Sequence, residues 1–161
     1  SGVARDYSID DALTVYLGGC LVSGLKFTIP QARQILHDLE PWLMGAGVYI
    51  NGTLQERYTS DIHLKVSEYL VYIYPETISA AGQPGFRYLI KGILRQSSDQ
   101  DVHTGLKVER YIEIDLAADR SNLNKNENVY LKILNITAAL RHFASRLNLD
   151  ANVFPIVNLK R

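Results

Sequence analysis

The chain has 161 residues, 47% of them hydrophobic and 21% charged, values that exclude wholesale disorder and fit one domain over 1–161. Seventeen Lys and Arg balance seventeen Asp and Glu, which argues against a dedicated polyanion binder. The lone cysteine, Cys20, excludes an internal disulfide and any multi-cysteine zinc site, and its apolar neighbours suggest a small buried hydrophobe.

The first element expected is a helix over about 9–23, opened by Ser8 and by Asp10 and Asp11, acids suited to the positive end of a helix. Gly18 and Gly19 each lower its propensity by about 1 kcal/mol, and with Ser23 they form a small-residue face that another backbone could approach. A buried strand pair is the competing assignment for residues 12–25. The second helix has a stronger start. Thr28 stands as N-cap, Pro30 falls in the first turn and Gln31 occupies the capping-box position. Ile29, Ala32, Ile35, Leu36 and Leu39 recur at helical spacing to about Glu40. Pro41 ends the helix or leaves one further turn carrying Trp42 and Leu43, and Gly45 and Gly47 mark the exit.

The period then changes to two. Asn51-Gly52 predicts a hairpin over 48–55, followed by a strand over about 62–74 that Pro75 ends. Ile62, Leu64 and Val66 share one parity, whereas Tyr69, Val71 and Ile73 take the other, so the strand is either bulged near Ser67 and Glu68 or covered on both faces. A loop over 79–85 precedes a strand over 86–95. The stretch 106–116, LKVERYIEIDL, alternates apolar and polar residues as a strand with one buried and one wet face. The last two strands are expected to pair with residue i opposite 200−i, setting Arg87 against Glu113 and Lys91 against Glu109. In the last quarter, Val129, Ile133, Ile136, Leu140, Phe143 and Leu147 predict a long helix over about 127–147, capped at its end by Asn148. A short strand over 153–159, confined to an edge by Pro155, closes the chain. The fold class expected is therefore α+β: two N-terminal helices, a mainly antiparallel sheet of four to six strands over about 48–116, and a long C-terminal helix packed on it.

Catalytic signatures do not emerge from this pattern. The chain has no GxSxG, no GxxxxGK[ST] and no [DE]-x-Lys triplet. Gly45-Ala46-Gly47 follows a helix and opens into a strand, the wrong context for a dinucleotide loop. His37, His63, His103 and His142 fall on four different elements without metal-ligand spacing, so neither metal nor cofactor is expected. The sequons at Asn51 and Asn135 are matches of low specificity.

Two features point instead to contact. Tyrosine is in excess, ten against four phenylalanines, and seven of the ten fall on expected strands, where a large ring with a polar tip suits half-buried sheets and recognition surfaces alike. Charge is also split along the chain: residues 120–161 carry seven basic against two acidic residues, while 1–119 carry ten against fifteen. Head-to-tail association of copies, or contact of the basic quarter with an acidic protein, follows from that gradient. Tyr69, Tyr72, Arg110, Lys132, Arg141 and Arg146 are the candidate interaction residues. Because the strands are net acidic, single-stranded nucleic acid ranks lower as a partner. No stretch is long enough to span a bilayer, and acidic residues stand where a signal peptide has its basic region, so an intracellular setting is expected. The function expected is that of a non-enzymatic, self-associating structural or interaction protein, such as a component of a virus or phage particle. The alternative is a small-ligand domain with an apolar pocket under the sheet, lined by Tyr69, Tyr72, Tyr88 and Arg110. Arg110 matters because it breaks the apolar parity of its strand: buried, it needs an anionic partner, and at an edge it reaches water.

Overall fold

A computed structural model describes residues 8–49, 66–76, 85–94, 110–116, 130–150 and 153–154. Contacts divide the chain into two compact units, one of residues 1–60 and 139–161, the other of residues 61–138.

In the first unit, helix α1 (Ile9–Gly19) begins with a reciprocal capping box: Asp11 N–H donates to Ser8 Oγ, and Ser8 N–H donates to Asp11 Oδ2. The helix widens into a π-helical turn over Cys20–Gly24, where Leu25 N–H reaches the Cys20 carbonyl. Residues 12–24 are thus helical, and the competing strand pair is excluded. Gly18 has only the Leu36 side chain near its open side and Gly19 has open space, so no backbone crowds the small-residue face among the described residues. Cys20 is half-buried rather than fully enclosed.

Helix α2 (Ile29–Gly45) starts with the expected Thr28–Gln31 capping box and continues through Pro41 for one further turn. Its exit is a Schellman turn. Gly47 adopts φ 72°, its N–H bonds the Met44 carbonyl, and Val48 N–H reaches back to the Leu43 carbonyl. Val48 and Leu43, both fully buried, supply the apolar contact that seals such a turn. Leu13, Leu17, Leu21, Ile35, Leu39 and Leu43 form this unit's core, each at most 1% exposed.

The second unit is a four-stranded antiparallel sheet in the order β3-β2-β1-β4, with β1 Val66–Glu76, β2 Gly85–Leu94, β3 Tyr111–Asp115 and β4 Lys132–Asn135. The parity change in β1 is a bulge: Val66 pairs with Leu94 and Glu68 with Ile93, leaving Ser67 as the extra residue. The bulge lets both Val66 and Tyr69 turn into the core. Pro75 does not stop the strand, which runs one residue further.

The β2–β3 register differs from expectation. Lys91 pairs with Glu113 and Ile90 with Ile114, a displacement of four residues that keeps every side chain on its expected face. The cause is Gly92. Its missing Cβ leaves room for Ile112, opposite it on β3, and for the Tyr69 ring; a Cβ there would lie 2.8 Å from Ile112 Cγ1 and 3.0 Å from Tyr69 Cε1.

The C-terminal helix also starts later than expected. Residues 132–135 form β4, and helix α3 spans Ile136–Arg146. Strand alternation wins locally because Leu134 pairs with Val71 on the buried face while Ile133 turns outward. Asn135 then ends the strand and caps the helix, its Oδ1 accepting from Ala138 N–H at 2.9 Å. Where β4 has turned away, the hydroxyl of Thr137, which is fully buried, accepts from Tyr69 N–H at 2.8 Å and replaces the missing ladder carbonyl. Both polar side chains of the Asn135 sequon therefore serve the fold.

From Ala139 onward α3 belongs to the first unit. There Phe143 lies 5.5 Å from the Tyr16 ring and 6.1 Å from the Phe154 ring, centroid to centroid. Asn148, at φ 49°, closes α3 in a second Schellman turn, with Leu149 N–H on the Ala144 carbonyl. Residues 153–154 form a bend. The expected hairpin beyond Tyr49, the start of the strand expected from 62, most of the loop at 79–85, the start of the strand expected from 106 and the strand beyond Phe154 lie outside the described residues.

Candidate interaction surface

The two faces of the sheet differ sharply. On one, Tyr69, Val71, Ile73, Tyr88 and Ile90 are at most 2% exposed. The other carries Leu70, Tyr72, Tyr74, Arg87, Leu89, Lys91 and Ile93, all half-buried, with Tyr111, Glu113 and Ile133 exposed. Cations and tyrosines interleave on this second face. Lys91 Nζ lies 4.1 Å from the Tyr111 ring centroid and 5.5 Å from that of Tyr72, and the Arg87 guanidinium lies 5.6 Å from that of Tyr74. Each such contact contributes about 0.5–1 kcal/mol at a solvated site. The ladder brings these side chains together: Tyr72 pairs with both Leu89 and Ile133, Tyr74 with Arg87, and Ile93 with Tyr111.

Among the described residues of the unit, exposed apolar side chains concentrate at the β4 edge. Tyr130 is 80% exposed, Leu131 40% and Ile133 43%. Among the described residues β4 is the last strand on its side of the sheet. Its approach, Tyr130-Leu131-Lys132-Ile133, has high strand propensity and a single charge, little of the protection that edge strands usually carry.

The four candidate interaction residues of the second unit do not share one face of its sheet. Tyr69 is core; burial pushes its phenol up to about 12. Tyr72 lies on the opposite face. Arg110 is exposed at the start of β3, where its carbonyl accepts from Leu94 N–H, so it breaks strand parity at an edge. Lys132 is half-buried on β4 opposite Ile73. Arg141 and Arg146 lie in the first unit, Arg141 half-buried and Arg146 exposed with its guanidinium 5.8 Å from the Tyr16 ring centroid. Tyr130, Leu131 and Ile133 were hidden from sequence reasoning because the helical spacing of Ile133 with Ile136 absorbed them. The signal that could have found them is Asn135, a helix-capping residue inside a helical pattern.

The first unit contains a cleft of about 400 Å³ between α1 and α2, lined by Asp10, Asp11, Arg33, His37, Glu40 and Tyr49 among others. Burial raises the Tyr49 phenol pKa, a Thr14 hydroxyl bond at 3.4 Å lowers it, and the carboxylates of Glu40 and Asp10 raise it again. The cleft is open and lined mostly by charged and polar side chains, of which Asp11 is already committed to the α1 cap. The expected apolar pocket under the sheet does not coincide with it: Tyr69 and Tyr88 are packed, and Tyr72 and Arg110 stand outside that core. Among the described residues no group of three His, Cys, Asp or Glu side chains could hold a metal ion, and no helix is long and apolar enough to cross a membrane. Comparison of the chain with protein-family models, with curated proteins and with solved structures found no match.

Proposed function

We propose that this chain is a self-associating structural or interaction protein that works through the sheet of residues 66–135 rather than through catalysis. The observation that carries the reading is the run of three large apolar side chains, Tyr130, Leu131 and Ile133, exposed together at one sheet edge. Scattered exposed apolar residues are normal on any protein, but a run beside a strand that is the last on its side among the described residues is a template for another strand. The cation–tyrosine face beside it adds rigid aromatic area with polar tips, the composition of protein contact surfaces. A role within a larger particle accords with this reading. Sedimentation velocity over a wide concentration range tests it: the sedimentation coefficient rises with concentration if the reading holds, and a single monomeric species at every concentration overturns it.

A second reading, binding of a small ligand, has the 400 Å³ cleft of the first unit in its favour. Three carboxylates against one arginine there favour a cationic ligand, such as a polyamine. Calorimetric titration with spermidine, compared between the parent chain and Asp10→Asn, tests it: heat lost in the variant supports a ligand site, and no heat in either removes this reading.

A further inference from the structure

We propose that Tyr72 and Tyr111 form a recognition site for a methylated ammonium group, a trimethylated lysine presented by a partner polypeptide, and that Lys91 of the same chain holds the site closed by lying in it. The inference rests on the reading that this protein works through contacts of its sheet, and it names what that sheet receives. Three strands build the site. Tyr72 stands on β1 and Tyr111 on β3, with Lys91 between them on β2. Tyr72 pairs with Leu89 and Tyr111 with Ile93, so the two rings flank Lys91 diagonally, one toward each end of β2. The Lys91 ammonium lies 4.1 Å from the Tyr111 ring centroid and 5.5 Å from that of Tyr72, so one cation already bridges two aromatic faces. Glu113 stands directly opposite Lys91 in the ladder and adds a negative charge beside the rings.

Lys91 is thus a stand-in that shows which charge the rings accept. It is also a competitor, since a group tethered to the same sheet acts at an effective concentration on the order of millimolar or more. An ordinary lysine ammonium from outside carries the same tight hydration shell and lacks the tether, so it does not displace Lys91. Methylation keeps the positive charge, loosens its hold on water and widens its contact with the rings. The openness of the surface decides the source of that group. Tyr111 is 51% exposed and Glu113 is exposed, and a free small molecule here would keep most of its surface in water, whereas ligand pockets enclose their ligands. A polypeptide brings further contact for Leu70, Leu89 and Ile93, which lie half-buried beside the rings.

The test is an NMR titration of the full chain with a short glycine-rich peptide carrying one trimethyl-lysine, beside the same peptide unmethylated and free choline. The ring resonances of Tyr72 and Tyr111 are expected to move with the trimethylated peptide and not with the other two. Lys91→Ala, which vacates the site, is expected to tighten that binding about fivefold or more. In the Lys91→Ala background, Tyr111→Phe keeps the aromatic face and holds the affinity within about twofold, whereas Tyr111→Leu abolishes binding. Neither Lys91 nor Tyr111 belongs to the buried core, and circular dichroism verifies the fold of each variant. Equal shifts with the unmethylated peptide, or no gain in Lys91→Ala, overturn the site. Choline binding as tightly as the trimethylated peptide overturns the polypeptide source. A chain that self-associates yet ignores the trimethylated peptide defeats this inference and leaves the broader reading standing; one that binds the peptide but stays monomeric does the reverse.

Discussion

Single residues hold the sheet in place, and three of them make measurable predictions. Gly92 is the hole into which Tyr69 and Ile112 fit, so Gly92→Ala overpacks a closed site. It should lower unfolding stability by about 1–3 kcal/mol in urea titration. The Thr137 hydroxyl accepts from the Tyr69 strand N–H at 2.8 Å. Thr137→Val keeps the shape and strands the donor, with an expected cost of about 1–3 kcal/mol in the same assay. Tyr69 is an acid whose pKa lies higher folded, about 12, than unfolded, near 10. Above the unfolded value the open chain releases a proton that the native state retains, so stability present below pH 10 is lost as pH rises toward 12. Thermal melts between pH 8 and 11.5 should show that decline in the parent and a shallower one in Tyr69→Phe; equal slopes would remove Tyr69 as its source.

Elements differ in how much the sequence revealed, for reasons visible in their signals. Both N-terminal capping boxes, the Gly47 exit and the Asn148 stop were legible because each depends on a local residue type at a fixed offset. The bulge in β1 was legible as a parity change. Register between β2 and β3 was not, since charge matching at Lys91 with Glu109 or with Glu113 looks alike until the volume at Gly92 is known. β4 was hidden for the opposite reason: Ile133 satisfies a helical and an alternating pattern at once, and burial of Leu134 against Val71 decides between them, with Asn135 as the one local sign. The candidate site suffered accordingly, because parity arguments put Tyr72 on a strand correctly but could not assign Tyr130 and Leu131 to an edge. The Gly47 turn offers a check at this scale. A Cβ at φ 72° is disfavoured by about 1–2 kcal/mol, so Gly47→Ala should destabilise the first unit by about 1 kcal/mol, seen as faster hydrogen exchange near Val48.

At the scale of the whole molecule, two sources of attraction can draw copies together, and salt separates them. The basic excess of residues 120–161 against the acidic remainder is electrostatic, and at about 0.5 M salt screening removes most of it. An apolar edge closed by backbone hydrogen bonds is far less sensitive. Association through β4 should therefore survive the increase in salt, whereas association through Arg141, Arg146 and their neighbours should disappear. The measurement that bears most directly on the central claim is sedimentation equilibrium of the full chain at about 0.1 M and 0.5 M salt. Association through β4 gives a reversible monomer–dimer equilibrium at both salts, weakened by Tyr130→Lys. A strictly monomeric chain at high concentration, or association abolished by salt and indifferent to Tyr130, would contradict it.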